Sequence, residues 1–162
     1  MNEFGTPTVA RLAAGEWLFD GYRRALARFR EAESNHDDPR ETFIALFETL
    51  SWASSIGDFL KKRRQALYPG IDAIDWVRDR VLHQWADAIE SRPIFMGPIT
   101  SSRSGVRPGP FFFWHWRQPE EIPAPDKKFD NPAGEAAYRD VLAGRTTREA
   151  LDEIERFLDS RK

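Results

Sequence analysis

The first 91 residues carry apolar side chains at three- and four-residue intervals, the period of an amphipathic α-helix. Leu12, Trp17, Leu18, Tyr22, Leu26 and Phe29 predict a helix over residues 7–34, with Thr6-Pro7 as its cap and first turn. The polar run SNHDDP then breaks the chain. Phe43, Leu46, Phe47, Leu50, Ile56, Phe59 and Leu60 predict a second helix over residues 40–67, which closes in the charged run KKRRQ before the turn YPG at 68–70. A third helix is predicted over 71–91. At about 100° per residue, its Ile74, Val77, Val81, Trp85, Ala88 and Ile89 fall in one narrow stripe, the core face. Long amphipathic helices joined by short turns point to an antiparallel bundle.

The pattern changes after Arg92. The runs IFM (94–96) and FFFWHWR (111–117) flank the Gly-, Ser- and Arg-rich loop SSRSGVRPGP (101–110). They read either as two strands of a hairpin with a long tip or as aromatic coil. QPEEIPAPDKKFDNP follows as an extended connector, its four prolines barring regular structure. Two short helices finish the chain. One covers about 132–143 and stops at Gly144, and the other covers about 147–160, where Thr146 and Glu149 have the spacing of a capping box. The expected fold is mainly α: an antiparallel helical bundle of three long and two short C-terminal helices, with a small aromatic-rich β-hairpin or coil insertion. It forms a single domain over residues 1–162, with a three-helix core (1–91), a hairpin and proline-rich connector (92–131) and the C-terminal helices (132–162).

Composition narrows the functional classes. A chain that is 41% hydrophobic and 13% aromatic has enough apolar surface for a core. A net charge of −2 demands neither nucleic acid nor an anionic membrane as partner. Arginine supplies 19 of the 24 basic residues. It suits two-point contact with phosphate or carboxylate, although a GC-rich coding genome produces the same bias. The absence of cysteine removes disulfides, thiolate metal sites and a cysteine nucleophile. Neither a secretory leader pattern nor an apolar run of about 20 residues is present. A soluble cytoplasmic protein with no membrane partner and no cofactor is therefore expected.

Candidate chemistry concentrates in DWVRDRVLHQWADAI (75–89). On a regular helix His83 stands nearly opposite the core stripe, beside Trp76, Asp79 and Glu90, while Arg78 stands at the stripe's edge. Asp79 and Asp87 are each four residues from His83 and can favour its charged form. In the plain reading, His83 is a solvated histidine among acids and Arg78 pairs with Asp75. Trp76 argues against that reading, because a large aromatic opposite the core implies that this face is covered, by the hairpin or by a second subunit.

The run Arg78-Asp79-Arg80-Val81-Leu82-His83, set in a helical bundle, resembles the signature of the HEPN superfamily: Arg, a polar residue, variable positions, then His. The resemblance implies a compact, commonly dimeric α-helical domain that binds RNA or cleaves it without a metal, as in toxin and defence systems. The implied partners are RNA, a second copy and an antitoxin or other protein. Arg78 would hold the phosphate, His83 would move protons, and Asp79 would orient the imidazole. Arg80, Arg103 and Arg107 would contact RNA, and Trp76 would lie at the interface. The wider layout (HQWAD, FWHW and the Gly-Glu…Tyr…Leu-Ala-Gly-Arg tail) also resembles short uncharacterised bacterial proteins, which brings no activity with it. The alternative is a non-catalytic helical-bundle interaction module that dimerises or binds a protein partner. KKRR (61–64) reads as favourable charge at a helix end or as a phosphate contact, and His115 as a packed strand histidine or a stacking platform. No metal-ligand motif or phosphate-cradling loop appears.

Overall fold

The computed structural model describes residues 14–35, 38–81, 85–94, 111–123 and 131–161. Its elements are α1 (Ala14–Asn35), α2 (Pro39–Lys62), α3 (Pro69–Val81), β1 (Ile89–Ile94), β2 (Phe111–Trp116), α4 (Pro132–Val141) and α5 (Thr147–Asp159). A mainly α bundle with a small β insertion, as the hydrophobic pattern predicts, is the architecture observed. No described helix is long and apolar enough to cross a membrane.

Helices α2 and α5 begin where local chemistry directs them. Asp38 caps α2 by accepting from the Arg40 amide at 2.9 Å, and Pro39 occupies the first turn. α5 opens with the predicted capping box: the Thr146 hydroxyl accepts from the Glu149 amide at 3.3 Å, and the Glu149 carboxylate accepts from the Thr146 amide at 3.2 Å. Gly144 ends the α4 segment at φ 73°, a left-handed conformation that favours glycine. The predicted start of the first helix, Thr6-Pro7, lies outside the described residues.

α1 and α2 run antiparallel, with the Trp52 ring against Gly21 and Arg28 paired to Glu48. α5 lies antiparallel along α1. The buried Tyr22 hydroxyl donates to the Leu151 carbonyl at 2.7 Å, Arg30 pairs with Asp152 and with Glu155 (2.7 Å), and Arg148 meets the buried Glu33 at 3.3 Å. The core between these layers comprises Tyr22, Leu26, Phe29, Leu46, Leu50, Ile56, Ile74, Leu151 and Ile154, all fully buried. Burying such side chains stabilises the fold by roughly 1.5–3 kcal/mol each.

Three predicted boundaries are corrected. The second helix ends at Lys62 rather than 67. Arg64 takes φ 54°, its amide bonds back to Lys61, and the Gln65 amide reaches the Leu60 carbonyl at 3.0 Å. This is the left-handed stop that usually employs glycine. The third helix, predicted over 71–91, starts at Pro69, is described to Val81 and does not reach 91: residues 85–87 form a 3-10 turn and Ile89 opens β1. The first strand therefore lies at 89–94, five residues before the predicted run, and residues 95 and 96 lie outside the described residues. Ala88 and Ile89 are buried as the stripe required, but from a turn and a strand.

The aromatic insertion is a hairpin. β1 and β2 pair antiparallel from Ile89 opposite Trp116 to Ile94 opposite Phe111. β2 is also fastened to the α4–α5 connection, where the Trp116 amide donates to Arg145 (3.0 Å) and the Gly144 amide to Trp116 (2.9 Å). Phe43 of α2 lies 5.6 Å from Trp114. The base of the hairpin is thereby part of the bundle.

Candidate functional site

α2, α3 and the start of α4 enclose a polar cleft of about 280 Å³ that contains Lys61, Asp72, Asp75, Arg78, Asp79 and Asn131. Asp75 is its buried centre, with a side chain 6% exposed. The Lys61 ammonium stands 2.7 Å from one carboxylate oxygen, and the Ser54 hydroxyl donates to the other at 2.9 Å. Burial pushes the Asp75 carboxyl above its usual range, while Lys61, Ser54 and Arg78 oppose that rise. Lys61 also meets Asp72 at 3.4 Å. Burial alone would lower the Lys61 pKa, but its bonds to Asp75 and Asp72 outweigh burial and raise it.

Arg78 projects from α3 into the same network. Its Nε and Nη2 each donate to Asp79 Oδ1 at 3.1 Å, and its Nη1 donates to the Ser54 hydroxyl. Asp75 and Asp58 lie at 3.6 and 3.7 Å. Burial would lower its pKa, yet Asp75, Asp79 and Asp58 together raise it and hold the guanidinium charged. Among the described residues, the carboxylates of Asp58, Asp72, Asp75 and Asp79 thus outnumber the cations Lys61 and Arg78. An incoming phosphate would have to displace carboxylates that already occupy the guanidinium, against a net negative field.

Arg78 and Asp79 are brought together, and Arg78 also approaches Asp75 as the plain reading held. His83, Arg103, Arg107 and the side chain of Arg80 lie outside the described residues. Trp76 is corrected: it is 4% exposed within a single chain, so neither the hairpin nor a second subunit is needed to cover it. α4 covers it, with Tyr138 at a ring-centroid distance of 5.0 Å and Gly134 against its Cβ. Lys61 of the KKRR run is held by Asp75, while Arg63 stacks over Phe59 at 4.4 Å. His115 is a half-buried strand histidine whose Nδ1 lies 3.1 Å from the Phe113 carbonyl. Among the described residues no group of three His, Cys, Asp or Glu side chains is arranged to hold a metal ion.

A second feature escaped the sequence reading. Ile44 is 58% exposed and Phe47 42% exposed on the outer face of α2, and Trp17 of α1 is 59% exposed. Ile44 and Phe47 border a hollow of about 480 Å³ completed by Glu48, Ser51, Trp52 and Ser55. Phe47 is one of the apolar positions that predict its helix, yet it stands about 100° round from the buried Leu46. The signal was available in the second, outward stripe that Ile44, Phe47, Ser51 and Ser55 trace.

Compared with known proteins, the chain matches no family model, no curated protein and no solved structure.

Proposed function

We propose that the protein is a non-catalytic interaction module whose working surface is the outer face of the α1–α2 pair. The observation that carries this reading is the exposed apolar row Ile44 and Phe47, bordering a preformed hollow. Large side chains left in water around a concavity mark contact surfaces more often than they arise by neglect. The polar cleft supports the same reading from the other side, because Arg78 is spent on Asp75, Asp79, Asp58 and Ser54. It serves there as a structural cation between α2 and α3.

Two experiments test the reading. Purified protein is incubated with RNA in EDTA beside Arg78→Ala and His83→Ala variants. Equal survival of the RNA throughout supports the module. Cleavage by the wild type that either variant abolishes replaces it with the metal-independent ribonuclease that the Arg78…His83 signature suggests. In the second experiment, a photo-crosslinker is placed at position 47 in cells. A discrete adduct is expected there, lost in an Ile44→Asp background and not formed from a crosslinker at the exposed Asp140. The absence of any adduct specific to position 47 refutes the module.

A further inference from the structure

The outward stripe of α2 has an order that bears on what covers it. Reading from the N-terminal end, it presents a cation (Arg40), two large apolar residues (Ile44, Phe47), two small hydroxyl residues (Ser51, Ser55) and an anion (Asp58). These positions recur every three or four residues, so they share one face. Arg40, Ile44, Phe47, Ser55 and Asp58 are exposed and Ser51 is half-buried. Among the described residues Arg40 forms no ion pair, and the Asp58 side chain is 54% exposed, its nearest cation being Arg78 at 3.7 Å.

Such a stripe complements itself when reversed. Laid antiparallel on its own copy about a two-fold axis near residue 49, Arg40 faces Asp58, Ile44 faces Ser55, and Phe47 faces Ser51. Every large side chain then meets a small one, and both end contacts unite opposite charges. The hollow lined by Ser51, Trp52 and Ser55 gives the Phe47 ring of the other copy a place to enter. Its floor is firm, because Trp52 is itself packed on Gly21 of α1. A foreign helix would need this same alternation by coincidence, whereas a second copy supplies it by symmetry.

We infer that the protein forms a two-fold homodimer through antiparallel pairing of α2 with the α2 of a second copy, with Phe47 of each chain seated in the Ser51–Trp52–Ser55 hollow of the other. The inference rests on the module reading and names its partner. The Arg40–Asp58 contacts, two per dimer and roughly 27 Å apart along the helix axis, fix the antiparallel register. Reversing the direction would set Arg40 against Arg40 and Asp58 against Asp58.

Sedimentation equilibrium of the full chain across the micromolar range tests it. The wild type is expected at twice the chain mass of 18.7 kDa. Phe47→Asp should sediment as a monomer with an unchanged far-ultraviolet circular dichroism spectrum, since the site is on the surface. Arg40→Asp should weaken association roughly tenfold or more, and Arg40→Asp combined with Asp58→Arg should restore it to within a few-fold of wild type. A wild type that stays monomeric throughout overturns the inference, as does a charge swap that fails to restore what the single reversal removes. The two readings fail separately. A monomer whose position-47 crosslinker yields an adduct of another mass defeats the dimer and leaves the module standing. No adduct at position 47 defeats both.

Discussion

Replacing Gly134 by alanine pits two known effects against each other at the α3–α4 contact. In a solvent-facing helix the change stabilises by about 1 kcal/mol, because glycine is the poorer helix former. At position 134 the added Cβ would stand 2.7 Å from Trp76 Cδ1, 2.8 Å from Trp76 Cβ and 2.7 Å from the Asn131 amide nitrogen. Trp76 has no room to retreat: it packs on Tyr138, which meets the fully buried Trp116 at 6.2 Å and donates its hydroxyl to the Arg117 carbonyl at 2.6 Å. Overpacking of this kind costs roughly 1–3 kcal/mol. Disturbing the Asn131 cap, which accepts from the Gly134 amide at 3.0 Å, costs about 1 kcal/mol more. The net expectation is a loss on the order of 1–3 kcal/mol. For a chain of this size that lowers Tm by roughly 3–10 °C. Thermal unfolding followed by circular dichroism measures it, in the wild-type and Trp76→Leu backgrounds. Leucine removes the contact with Trp76 Cδ1 but keeps those with the Cβ of residue 76 and with Asn131, so Gly134→Ala should cost less in that background than in the wild type, without becoming neutral. An unchanged or raised Tm for Gly134→Ala in the wild-type background would refute the packing argument.

Three further outcomes are expected. Arg64→Gly should stabilise by roughly 0.5–1 kcal/mol in urea unfolding, because φ 54° strains an L side chain and suits glycine; an equal or lower midpoint would contradict it. Glu153 accepts from Arg145 at 2.7 Å and from the Tyr68 hydroxyl, and these bonds lower its pKa to about 2. Its folded pKa lies below the unfolded value, so its contribution is complete above about pH 4.5 and is lost as pH falls toward 2. Glu153→Gln should therefore lower Tm at neutral pH and converge with wild type near pH 2, and a constant difference across that range would count against the assignment. Tyr22→Phe, which deletes the buried bond to Leu151, should cost about 1 kcal/mol in the same urea assay; no loss would mean that the bond contributes nothing.

The helices were legible because their signals are local. The Thr146–Glu149 box and the spacing of Leu46, Leu50, Ile56 and Leu60 are written in neighbouring residues, whereas Pro69 and Gly70, predicted as part of a turn, open α3 instead. The end of α3 was not, because Trp85, Ala88 and Ile89 continue the helical period past Val81. Periodicity shows that Ala88 and Ile89 must be buried, and a turn followed by a strand satisfies that demand as well as a helix. What replaces the helix is pairing with a strand that begins more than 20 residues later in sequence. In the candidate site, the pairing of Arg78 with Asp75 was readable from their spacing. The approach of Lys61 and Ser54 was not, since it depends on how α2 crosses α3. The position of Trp76 off the core stripe predicts that it needs cover, and it is buried. The cover came from Tyr138 and Gly134, which no local pattern links to it.

The long reach between α1 and α5 has a consequence for synthesis. Tyr22, Arg23, Arg30 and Glu33 emerge early, yet their partners are Leu151, Asp159, Asp152 with Glu155, and Arg148. Those partners are the last described helix of the chain. While the ribosome is still translating, α1 and α2 expose one face of the core together with the buried-to-be Tyr22 hydroxyl and Glu33 carboxylate. The native arrangement closes only once α5 has cleared the exit tunnel. A chain cut at residue 147 therefore keeps the sequences of α1 to α4 but lacks the element that seals the core face of α1, so it should be cleaved by an added protease faster than the full chain.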